Sequence, residues 1–92
     1  MKIEDFNGIA FPVYFKNTCH YYKATGMTSN LLCVTYVTDD LCSIEFGYMS
    51  SLNRMFTDND SYTLFLNFCT KEEFDAAFEM VVTRLKTELN IK

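Results

Sequence analysis

The sequence predicts an α+β fold: a twisted antiparallel sheet of four to five strands with one C-terminal amphipathic helix packed on one face, in a single domain over residues 1–92. Three observations carry this. Phe74, Ala77, Phe78, Val81, Leu85 and Leu89 recur at helical spacing and form one apolar stripe. Upstream, several short stretches alternate apolar and polar residues with period two. The breaks between those stretches are short, which favours antiparallel neighbours and a sheet that the final helix can cover.

Asn7-Gly8 marks a turn before the first strand, expected over 9–16, where Ile9, Phe11, Val13 and Phe15 share a face. Pro12 has no amide hydrogen, so this strand is expected at an edge or irregular. After Asn17-Thr18, residues 19–25 complete a hairpin. A loop follows, and then β-branched and aromatic residues over 31–38 predict a strong strand. Asp39-Asp40 turns the chain into 41–49, where Cys42, Ile44, Phe46 and Tyr48 oppose Ser43, Glu45, Gly47 and Met49, one set core and one wet. Residues 50–60 form a long connection with a short helical turn at Leu52, Met55 and Phe56. The last strand, 61–69, alternates Tyr62, Leu64, Leu66 and Phe68 with Thr63, Phe65 and Asn67. If the first set lies under the helix, Phe65 faces solvent on the other side.

The helix itself, over 70–90, is signalled at both ends. Thr70 caps it and Glu73 completes a capping box. Acids (Glu72, Glu73, Asp75) open the helix and bases (Arg84, Lys86) close it, in accord with its dipole.

Composition narrows the function classes. At 92 residues, 49% hydrophobic and 22% charged, the chain is an ordinary globular sequence with a modest core. Nine Phe and six Tyr are a surplus of ring area, and some of it is expected at the surface. The net charge of −4 is concentrated in residues 31–69, with five acids against one Arg. That distribution argues against broad phosphate-backbone binding and favours docking on a basic protein surface. Four cysteines without Cys-x-x-Cys spacing, and no apolar leader or membrane-length run, predict free thiols in a reducing cytoplasm and no membrane partner.

No catalytic motif, cofactor loop or metal set is expected. Asp58-Asn59-Asp60 begins like a calcium loop, but Thr63 and Cys69 stand where that loop needs Gly and Glu. A catalytic pair of Cys19 and His20 is disfavoured because strand neighbours point to opposite faces. Two surfaces remain. One is partner-binding: acids Asp39, Asp40, Glu45, Asp58 and Asp60, with exposed Phe65 as an anchor. The other is the first hairpin, where Tyr14, Lys16, His20, Tyr21, Tyr22 and Lys23 interleave rings and bases as single-strand nucleic-acid binders do.

The strand order followed by a helix resembles in outline the β4α repeat of PUR-type nucleic-acid binders. In size, charge and absence of catalytic motifs the chain also resembles the small acidic proteins of phages and mobile elements, anti-CRISPR proteins among them. The second resemblance implies a non-enzymatic inhibitor that docks on a basic cleft of a host nucleic-acid-handling protein, which acts as part of a nucleoprotein complex. A small single-stranded RNA- or DNA-binding module is the competing expectation. Either a monomer or a homodimer, paired through a sheet edge or face, fits the sequence.

Overall fold

A computed structural model describes residues 3–27, 30–50 and 66–89. Among the described residues a 3-10 turn, Ile3–Phe6, leads into the strands β1 (Val13–Lys16), β2 (His20–Ala24), β3 (Leu31–Val37), β4 (Cys42–Tyr48) and β5 (Asn67–Phe68) and the C-terminal helix α1 (Lys71–Glu88). The strands form one antiparallel sheet in the order β4-β3-β2-β1-β5, with α1 lying across β1 to β4. This is the α+β arrangement that the alternating strands and terminal stripe predict.

The Asn7-Gly8 turn forms as expected. Asn7 N–H donates to Glu4 O at 3.0 Å, Ile9 N–H donates to Phe6 O at 3.3 Å, and Gly8 takes a φ of 74° that a Cβ would oppose. The first strand differs from expectation. It begins only after the cis Phe11-Pro12 bond and runs four residues. It is also interior: β5 pairs with its far side, Phe15 opposite Phe68 and Lys16 opposite Asn67. Placing Pro12 before the ladder removes the need for an edge, since no ladder bond is then lost.

The two sheet faces are not divided as the sequence suggests. Val13, Phe15, Tyr22, Ala24 and Leu32 point away from α1 and form the larger core with Phe6, Met49 and Leu66. Phe15 anchors it, stacked on Tyr22 at 4.9 Å and edge-on to Phe6 at 5.5 Å. Leu66 and Phe68 therefore lie on the face opposite the helix, not beneath it, because Phe68 pairs with Phe15. Phe65, Tyr62 and Leu64 are outside the described residues.

Under α1 lies a second cluster: Tyr14, Cys33 and Phe74, flanked by Tyr21, Ile44, Cys69 and Phe78. Phe74, Ala77 and Val81 are the buried part of the predicted stripe, while Leu89 at its end is largely exposed. Thr70 caps the helix, its Oγ1 accepting from Glu73 N–H at 3.1 Å. The Glu73 carboxylate reaches across to Lys16 Nζ at 2.9 Å, tying β1 to the first helical turn.

Candidate functional site

The β3–β4 hairpin carries the site, and its turn is built from local hydrogen bonds. Thr38 N–H donates to Leu41 O at 2.8 Å, and Leu41 N–H donates to Thr38 Oγ1 at 3.0 Å. From the helix, Arg84 Nη1 donates to Thr38 O at 2.7 Å, linking positions 46 residues apart. Asp39 and Asp40 are thus displayed, exposed, at the tip of a turn braced from within and from α1. Leu41, 63% exposed, stands beside them, and Leu89 borders the same cleft with Arg84, Leu85 and Glu88. The tip is acidic with an apolar companion.

Glu45, the third predicted acid, is also exposed but belongs to the face opposite α1, as its pairing with Val34 requires. It does not converge with Asp39 and Asp40 on one surface. Asp58, Asp60 and Phe65 lie outside the described residues.

The hairpin residues of the nucleic-acid reading are divided between the faces. Tyr14, Lys16, Tyr21 and Lys23 lie on the helix side and His20 on the other. Tyr14 is buried against Phe74, ring centroids 5.6 Å apart, so helix packing already occupies one face of it. The ammonium groups of Lys16 and Lys23 sit 5.8 Å over the rings of Tyr21 and Tyr14 respectively. Glu73 raises the Lys16 pKa, first by hydrogen bonding and then by charge.

Cys19 and His20 correct the sequence reading. Cys19 sits in the bend before β2, its carbonyl accepting from Val37 N–H at 3.0 Å, and its Sγ nevertheless lies 3.4 Å from His20 Nδ1. Asn17 Oδ1 accepts from Cys19 N–H at 3.1 Å and His20 N–H at 2.8 Å, which fixes it as the acceptor facing His20 Nδ1 at 3.2 Å. His20 Nδ1 thus lies within reach of both Asn17 Oδ1 and Cys19 Sγ. Burial lowers the His20 pKa, opposed by the charge of Glu45.

The four cysteines are free thiols. Burial pushes Cys33 up, and burial followed by the charge of Glu73 pushes Cys69 up to about 11. Both favour the inert thiol form.

Alternation did not reveal which strand ends the sheet. Among the described residues β4 is the outermost strand on its side, and Phe46 (65% exposed), Tyr48 (59%) and Leu31 (43%) are exposed there. Phe46 also walls a groove of about 290 Å³ with Leu31, Cys33, Phe74 and Phe78. Among the described residues, no helix is long and apolar enough to cross a membrane, and no three His, Cys, Asp or Glu side chains gather as metal ligands.

This geometry defines a class: an α+β domain whose open sheet edge and acidic turn lie on one hairpin. No family model, curated protein or solved structure matches the chain.

Proposed function

We propose that the chain is a non-enzymatic protein-binding module that docks by its β3–β4 turn on a basic surface of a partner, in the manner of an inhibitor occupying a nucleic-acid cleft. The observation that supports this is the braced turn: two exposed carboxylates at a fixed tip, next to an exposed leucine. Fixed charges steer encounter and set orientation, and an adjacent apolar side chain supplies the anchor that charge alone does not. Nothing has to be ordered on binding at a turn already held in place, so little conformational entropy is lost.

The competing nucleic-acid reading has less support, since its rings and bases are spread over two faces, Tyr14 is packed under the helix and Lys16 is paired with Glu73. Two experiments separate these readings. Affinity capture from the native host, compared between wild type and the Asp39→Asn/Asp40→Asn double variant, identifies the partner. The double variant is expected to lose roughly tenfold in affinity, with a shallower salt dependence. A gel shift with single-stranded RNA and DNA is expected to show no complex. Micromolar nucleic-acid binding that collapses in Lys16→Ala/Lys23→Ala would overturn the docking reading.

A further inference from the structure

Among the described residues no strand pairs with the outer edge of β4, which has the features of a strand that pairs. Thr38 N–H bonds to Leu41 O and Met49 N–H to Asn30 O, so the odd-numbered residues of this segment turn their backbone groups toward β3. Cys42, Ile44, Phe46 and Tyr48 consequently direct theirs to the open side. Edge strands are normally blunted by proline, charged side chains, a bulge or a covering helix or loop. Between Cys42 and Tyr48 the one charged residue is Glu45, on the face opposite α1; there is no proline and no base, and the pairing to β3 runs one-to-one without a bulge. The helix-side residues along this edge are Cys42, Ile44, Phe46 and Tyr48, the last two mostly exposed.

We propose that the occupant of this edge is a second copy of the chain, joined β4 to β4 about a two-fold axis at Phe46, so that two sheets become one. This goes beyond the docking reading and does not depend on it. The strand's own side chains choose the register. An antiparallel two-fold pairing keeps each residue on its own face, so helix-side residues must oppose helix-side residues. The register of greatest overlap is centred on Glu45 and sets each carboxylate against its own copy in the closely spaced position, which like charges disfavour. Centring on Ile44 opposes Tyr48 to Asp40, and centring on Gly47 leaves Ile44 beyond the strand, opposite Ser50.

Centring on Phe46 places Phe46 against Phe46 and Ile44 against Tyr48, while Glu45 meets Gly47 on the other face. Ile44, Phe46 and Tyr48 then exchange their outward backbone bonds with the partner. The partner's Phe46 comes to the wall of the groove that Phe46 shares with Leu31 and Phe74. Aromatic pairs opposed in this way add to ladder stability.

Gly47 supplies a test that leaves the fold intact, because a Cβ built there meets nothing within 4 Å and its φ is not positive. Sedimentation equilibrium of the full chain over a wide concentration range is expected to show a monomer of 10.7 kDa passing to twice that mass. In the Phe46-centred register, Gly47→Lys sets a cation opposite Glu45 and tightens the dimer several-fold, whereas Gly47→Glu loosens it by a similar factor. Phe46→Lys abolishes it, with far-UV circular dichroism unchanged. Monomer at every concentration would overturn the proposal. So would a dimer that ignores both Gly47 variants, or one that Glu45→Gln strengthens, since that places the axis at Glu45.

Discussion

Asn17 shows how one side chain organises its neighbours. By accepting two backbone hydrogens its Oδ1 is fixed in place, 3.2 Å from His20 Nδ1, which also lies 3.4 Å from Cys19 Sγ. Burial depresses the His20 pKa, so the unfolded chain takes up this proton before the folded one does. The stability this residue contributes is complete above the unfolded value of about 6.5 and declines as pH falls below it toward the folded value. Urea denaturation at about pH 7.5 and pH 5.5 should show a loss of stability that shrinks in His20→Gln; an unchanged difference would remove His20 as the cause. Thr35 makes a second prediction at this scale. It is fully buried, and among the described residues its hydroxyl has no oxygen or nitrogen partner. Cys33, two residues along on the same face, offers only a weak sulfur contact. Thr35→Val removes a desolvated hydroxyl and is expected to raise stability by about 1 kcal/mol, seen as a higher Tm.

Among the elements, α1 was the most legible in the sequence because its signals are local: a stripe at helical spacing, a threonine cap and an ordered charge gradient. Thr70→Ala should cost about 1 kcal/mol, since it leaves the Glu73 N–H without its acceptor. A loss near zero on thermal melting would mean that water replaces the cap. The strands were legible as strands, with ends trimmed by a few residues. Their faces were not. Alternation shows that each strand has two sets of side chains, but only pairing decides which set the helix covers. The pairing of Phe15 with Phe68 sends Leu66 to the core opposite α1, and no local pattern in 61–69 encodes that choice. For the same reason Phe46 and Tyr48 read as core candidates from period alone, whereas the terminal position of β4 in the sheet leaves them open.

For the molecule as a whole, the acidic tip and the β4 edge occupy one hairpin but point in different directions, so a dimer keeps both tips accessible. Twelve residues separate Asp40 from its copy along paired strands centred on Phe46, about 40 Å at 3.3 Å per residue. The sequence located the acids at positions 39 and 40 and gave no hint of their brace, because Arg84 reads only as a base near the end of a helix. Arg84→Ala leaves both carboxylates in place and removes the bond to Thr38 O. It is expected to weaken partner capture by roughly threefold, less than the aspartate variants, with the helix still formed. Equal capture by Arg84→Ala and wild type would show that the turn holds itself.

That brace also ties the display of the tip to the docking of the helix. The carboxylates belong to a local turn, yet the guanidinium that steadies it comes from a residue 46 positions after Thr38. A chain whose helix is undocked therefore keeps the charges and loses that support.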